Sequence, residues 1–169
     1  MAVSRQVFRD AMARLGAAVN VITSDGPAGR AGCTASAVCS VTDDPPTLLL
    51  CLNRSSDNNA VFKRNGVVCV NTLASGHEEL SRVFAGATGA TMEGRFAAAS
   101  WTTLATGAPV LTDATVAFDC RITQSVEIGT HTVFFCEVEA IALGDVHEGL
   151  IYFGRAYHRL IHRNDPAGT

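Results

Sequence analysis

Val116-Ala117-Phe118-Asp119-Cys120-Arg121-Ile122-Thr123 alternates without a break. A period of two sends Val116, Phe118, Cys120 and Ile122 to one face of a strand and Ala117, Asp119, Arg121 and Thr123 to the other. A turn at 127–131 follows, and 132–143 reads as a second long strand. Two long strands joined by a tight turn form an antiparallel hairpin. Working upstream, the apolar runs 47–52 and 67–73 read as strands buried on both faces. Segments 17–24 and about 30–41 read as two more, separated by the turn signal Asp25-Gly26-Pro27, and a short strand is expected around 150–153.

Helices are expected at three places. Residues 4–15 carry the stripe Val7, Phe8, Ala11, Met12 and Leu15, with Ser4 as cap and Gly16 as stop. A short helix at 57–64 follows Ser55 or Ser56, and another near 76–85 turns Leu80, Val83 and Phe84 inward. The Gly-, Ala- and Thr-rich stretch 86–108 reads as irregular. Strands outnumber helices, and no regular crossover helices separate them. The fold class is therefore mainly β, a mostly antiparallel barrel with peripheral helices.

At 169 residues the chain is expected to be one domain, with its core at about 5–158 and a frayed tail at 163–169. The formal net charge of −3 excludes a basic nucleic-acid footprint. No apolar run approaches the roughly 18 residues that span a membrane. The first helix, with Arg5, Arg9 and Asp10, lacks the apolar centre of a signal peptide, so the cytoplasm is the expected compartment. The six cysteines, at 33, 39, 51, 69, 120 and 136, include no C-x-x-C pair. They read as small buried hydrophobes in a reducing compartment.

Standard catalytic and phosphate-binding motifs are absent. There is no G-x-G-x-x-G, no P-loop and no G-x-S-x-G elbow. His77-Glu78-Glu79 and His147-Glu148 each lack the second histidine of a zinc motif, and no metal site is expected. His158 and His162 have helical i, i+4 spacing but read as surface residues. Glu137 and Glu139 share a strand face and read as a solvated or interface-facing row.

Two hydroxyl-rich segments remain. Gly32-Cys33-Thr34-Ala35-Ser36-Ala37-Val38-Cys39-Ser40 and Asn53-Arg54-Ser55-Ser56 flank the apolar run 47–52. Small side chains leave backbone N–H groups approachable, and a helix starting after Ser56 adds favourable partial charge for an anion. Asn53 supplies an amide and Arg54 a planar cationic fork. The set suits a phosphorylated ligand with many hydroxyls along a sheet edge. The same residues also suit ordinary strand and helix-cap roles. His131, at the tip of the long hairpin, is either presented to a ligand or solvated.

The motifs Phe8-Arg9-Asp10-Ala11-Met12, Thr34-Ala35-Ser36-Ala37-Val38-Cys39-Ser40, Cys69-Val70-Asn71, Phe84-Ala85-Gly86, Gly129-Thr130-His131 and Gly149-Leu150-Ile151-Tyr152-Phe153 occur in this order. Together they resemble the short-chain flavin reductases of two-component monooxygenases, over about residues 5–158. The resemblance implies an FMN-binding split β-barrel of Greek-key type, a homodimer, and hydride transfer from NADH to FMN, with FAD or riboflavin as alternatives. Reduced flavin would then serve a separate monooxygenase component. Thr34, Ala35, Ser36 and Ser40 would fall on the flavin-contacting strand. Asn53, Arg54, Ser55 and Ser56 would hold the ribityl and phosphate groups. Phe84 would lie near the flavin, His131 by the nicotinamide, and Tyr157 at that same pocket. Gly94 and the segment Gly154-Arg155-Ala156-Tyr157 depart from the family pattern. The rival readings on the same fold are a non-catalytic flavin- or heme-binding protein and an oxidase of pyridoxine-phosphate type.

Overall fold

A computed structural model describes residues 2–145 and 147–161. The calls on His162 and on the 163–169 tail lie outside these residues. The chain opens with α1 (Arg5–Met12), capped by the Ser4 hydroxyl accepting from the Val7 amide at 3.2 Å. Then come β1 (Ala17–Ala18), β2 (Asn20–Ser24), β3 (Ala31–Ala35), β4 (Val38–Asp43) and β5 (Pro46–Asn53). Next are α2 (Asp57–Asn65), β6 (Val67–Thr72), α3 (Glu78–Phe84), α4 (Met92–Ala97), β7 (Trp101–Thr103) and β8 (Pro109–Leu111). The long hairpin is β9 (Val116–Ile128) with β10 (His131–Leu143). It is followed by β11 (Glu148–Phe153) and β12 (Ala156–Ile161).

One seven-stranded sheet carries the fold, in the order β3-β2-β6-β9-β10-β5-β4, and every strand pair is antiparallel. Its two edge strands, β3 and β4, are consecutive in sequence. The single strand expected at 30–41 is broken at Ser36-Ala37, and these two residues carry the chain from one sheet edge to the other. The sheet must therefore curl until its edges meet at that point, yet β3 and β4 do not pair. The barrel is open along this split.

Strands β2 and β6 are buried along almost their whole length because the curled sheet has a core on each face. Ile22, Cys33, Leu50, Phe62, Val68 and Phe134 pack in one. Val21, Cys69, Leu80, Phe84, Phe96 and Leu150 pack in the other, beneath the helices and β11. The run 47–52 behaves differently from expectation. Leu50 and Leu52 are buried, whereas Leu48, Leu49 and Cys51 are only half-buried, because β5 lies next to the split. The second face of 116–123 is partly buried as well. Ala117 and Asp119 are buried, and the Asp119 carboxylate accepts from the Thr106 amide at 2.7 Å and from the Thr106 hydroxyl. Only Arg121 and Thr123 of that set reach solvent, and Arg121 pairs with Glu139 at 2.6 Å.

Segment 86–108 is more ordered than its composition implies. Thr91 caps α4 by accepting from the Gly94 amide at 3.2 Å, and Phe96 and Trp101 close over Phe84 with ring centroids 5.3 and 5.6 Å away. His158 lies on strand β12, so the helical spacing it shares with His162 has no helix to act on. No helix among the described residues is long and apolar enough to cross a membrane.

Gly32 sits where this aromatic cluster meets β3. A Cβ there would lie 2.7 Å from the Phe84 ring. Because that ring is boxed in, we expect Gly32→Ala to lower stability by about 1–3 kcal/mol, measured as an earlier urea midpoint. An unchanged midpoint would show that the cluster yields freely.

Candidate functional site

The split leaves a cleft of about 620 Å³ against the outer edge of β3. Thr34, Ala35 and Ser36 form one wall; Arg82 and Ala85, from α3 and the residue after it, form another, and Tyr157 of β12 lines it too. A larger hollow of about 950 Å³ continues past Ser36, bordered by Val38, Cys39, Leu49 and Cys51 on the sheet and by Met12 from α1. Ser36, Tyr152 and Arg155 border both. Volumes of this size suit an organic cofactor.

A hydrogen-bond chain fixes the wall of the smaller cleft. The Thr34 hydroxyl donates to the Ser81 carbonyl at 2.7 Å, and the Ser81 hydroxyl lies 2.9 Å from the Tyr157 hydroxyl. The Arg82 guanidinium stacks over the Tyr157 ring at 5.3 Å and pairs with Glu78 at 2.8 Å. Ser36 is exposed. Phe84 is placed otherwise: its ring is sealed in the core, and Ala85 and Ala87 reach the cleft instead. Ser40 is exposed on β4 opposite Leu48 and lines neither cleft.

The second set assembles at the end of β5. Register places His131 directly opposite Asn53. The Arg54 amide donates to the Thr130 carbonyl at 2.9 Å, so the hairpin tip and the 53–56 turn are one unit. The Asn53 side-chain oxygen accepts from the Ser55 amide at 3.0 Å and from its hydroxyl at 2.9 Å. Ser56 precedes α2 without a side-chain capping bond. Arg54 pairs with Glu127 at 3.0 Å, and Lys63 reaches the same carboxylate at 2.8 Å. The Lys63 hydrogen bond first, then the charge of Arg54, holds Glu127 below the usual carboxylate range. His131 Nδ1 lies 2.9 Å from the Thr130 hydroxyl. The two sets are linked through β5. The Cys51 amide donates to the Ala37 carbonyl at 3.0 Å, and Asn53 lies about 7 Å further along that strand.

Sequence reasoning missed β12 and, with it, the turn that carries Arg155. Gly154 (φ 60) and Arg155 (φ 64) both adopt left-handed backbone between β11 and β12. Arg155 is the one non-glycine residue with positive φ among the described residues. Such backbone costs about 1–2 kcal/mol for an L-residue. The signal was present as a Gly-X pair between two apolar strand-like runs.

The matching family is described as the flavin reductase like domain, and the match covers residues 12–160. The chain belongs to this family. A protein of Ancylobacter novellus named FMN reductase (NADH) RutF is 65% identical over 93% of this chain and 86% of its own length. A Haemophilus somnus crystal structure, provisionally described as a flavin reductase, superposes with TM-score 0.89 at 45% identity, over 94% of this chain and all of that one. The Streptomyces globisporus NADH:FAD oxidoreductase SgcE6, solved with NAD and FAD fragments, gives TM-score 0.84 at 26% identity, over 96% of this chain and 95% of that one.

The donor set fits a flavin. The cleft offers a free strand edge, small side chains at Ala35, Ala85 and Ala156, and a tyrosine ring. The cysteines report on the same surface. Burial pushes the Cys33 and Cys136 thiols up to about 12 and raises Cys69 and Cys120 as well. Cys51 is raised by burial and then by neighbouring Cys39, which is exposed. We expect a maleimide to label Cys39 first in the native protein, Cys51 slowly, and the other four only after unfolding, as read by peptide mass mapping. Rapid native labelling of Cys69 or Cys120 would contradict the packing described.

Proposed function

We propose that the chain is an NADH-dependent flavin reductase that binds FMN at the barrel split and passes reduced flavin to a separate monooxygenase component. The observation that carries this reading is the open cleft along β3, bounded by Thr34–Ser36 and Tyr157, in a chain of the flavin reductase family. FMN is preferred over FAD on the printed name of the 65% identical relative. The six free cysteines suit a cytoplasmic setting, where thiols stay reduced.

Bound flavin supplies the hydride-accepting ring, and the protein supplies position and electrostatics. Thr34, locked to α3 through Ser81, would keep the β3 wall of the cleft rigid beside a bound flavin. Ala35 and Ser36, with small side chains, would leave room in the cleft for two rings to be held together. Ser40, on β4 beyond the split, keeps the opposite edge polar. Asn53 shapes the 53–56 turn, whose Ser55 and Ser56 hydroxyls and following helix start suit a phosphate. Arg54 adds charge there once it yields part of its contact with Glu127. His131, held opposite Asn53 at the hairpin tip and lining neither cleft, is assigned to the donor side only on the family resemblance and need not transfer a proton. The Phe84 ring acts from the core by fixing Gly32 and α3.

A homodimer is part of this proposal. The apolar stripe of the first helix and the residues after it is bare in the single chain: Val7, Phe8, Met12 and Leu15 are 60, 59, 47 and 62% exposed. A second copy is the cover proposed for them. Sedimentation equilibrium should give twice the chain mass, and Phe8→Asp should shift it toward the monomer. A monomeric parent protein would end this part.

The decisive assay mixes protein, NADH and catalytic FMN and follows the loss of reduced-nicotinamide absorbance, with FAD, riboflavin and NADPH in parallel. No consumption with any flavin would overturn the reading. We expect Arg54→Ala to weaken FMN several-fold, on the order of tenfold, while riboflavin changes little in fluorescence titration. His131→Ala should raise the KM for NADH more than the Kd for FMN.

A further inference from the structure

We propose that Arg155 is the anion contact for the pyrophosphate of the dinucleotide donor, a residue that exchanges its resting partner Asp10 for the substrate. This rests on the reductase reading above. Four observations carry it.

Arg155 stands where the two clefts join, with Ser36 and Tyr152 as the other shared walls. A donor whose nicotinamide lies over the β3 edge must send its remaining half out past this junction or along α3. The guanidinium is held at the junction by backbone that an L-residue adopts only at a cost, and a glycine in its place would relieve that cost. The turn itself is pinned, since the Gly154 amide donates to the Ala13 carbonyl at 2.7 Å. A two-residue hairpin between Phe153 and Ala156 calls for positive φ at both turn residues, and the pinned turn fixes where the Arg155 side chain leaves the backbone.

The side chain's present partner is weak. Arg155 meets the Asp10 carboxylate, with both side chains about half exposed. Exposed pairs of this kind contribute little. A pyrophosphate carries more charge and offers several acceptor oxygens to the planar fork, so exchange is favourable. Asp10 is held in its ionised form by the Arg155 hydrogen bond and by Gln6 at 2.9 Å, and so remains a competitor at neutral pH.

The same cleft is lined by a second cation. Arg82 faces the smaller cleft from α3, stacked on Tyr157 and paired with Glu78. Two guanidiniums lining one cleft would suit a two-phosphate group, whereas the 53–56 turn, a separate locus, would suit the flavin's single phosphate.

The test compares two hydride donors on the dimeric, FMN-supplied enzyme: NADH, and N-benzyl dihydronicotinamide, which has the same reacting ring and no phosphate. Arg155→Gly removes the side chain and relieves its backbone, so it is not expected to impair folding. We expect its KM for NADH to rise about five- to tenfold, with the KM for the benzyl donor within about twofold of the parent. Asp10→Asn, which releases the guanidinium, should lower the NADH KM about two- to threefold and steepen its dependence on salt. Equal losses with both donors would overturn the proposal, as would a selective loss of FMN over riboflavin binding in Arg155→Gly. A parent protein inactive with both donors would instead refute the reductase reading.

Discussion

The fold depends on one constraint: two residues, Ser36 and Ala37, must carry the chain between the two edges of a seven-stranded sheet. A flat sheet of that width would hold its edges roughly 30 Å apart, at about 4.8 Å per strand spacing. Two residues cannot bridge that distance. The sheet must curl, and the curl encloses the core built on Ile22, Leu50, Phe62, Val68 and Phe134. The edges meet at a point without pairing. Unpaired edges are ordinarily a liability for a soluble protein. Here one of them borders the cleft in which the proposed chemistry would take place.

The second core makes the split usable. Phe84 meets Phe96 and Trp101 edge-on, those two rings pack tilted against each other, and the cluster anchors α3 beside β3. Gly32 admits the Phe84 ring because it has no Cβ. The Thr34 hydroxyl then reaches the Ser81 carbonyl, and Ser81 in turn meets Tyr157. The cleft wall is therefore fixed from behind by packing and from the side by hydrogen bonds. Hydride transfer between two stacked rings needs that rigidity, because orientation is much of what a protein contributes to it.

Charge is distributed with similar economy. Arg54, Arg82 and Arg155 each rest against a carboxylate, Glu127, Glu78 and Asp10 respectively. All three pairs are exposed enough for water and salt to weaken them. A chain of net charge −3 can thus keep cations beside its clefts without presenting a basic face to nucleic acid.

The chain itself shows its strands through local patterns. The alternation 116–123, the apolar run 67–73 and the Ser4 cap each act within a few residues, and the structure bears each out as an element. The ordered motifs from Phe8 to Phe153 were enough to point to the family. Sequence could not show that Asp119 is buried, because its partner Thr106 comes from a segment without periodicity. Nor could it show that the α1 stripe lies bare, since amphipathicity looks the same whether the cover is this chain or another. Arg155 and Arg82 are ordinary surface arginines in one dimension. Only the curl of the sheet and the β11–β12 turn bring them to the same cleft as Thr34 and Tyr157, because contacts between residues so distant in sequence are decided by topology, not by local preference.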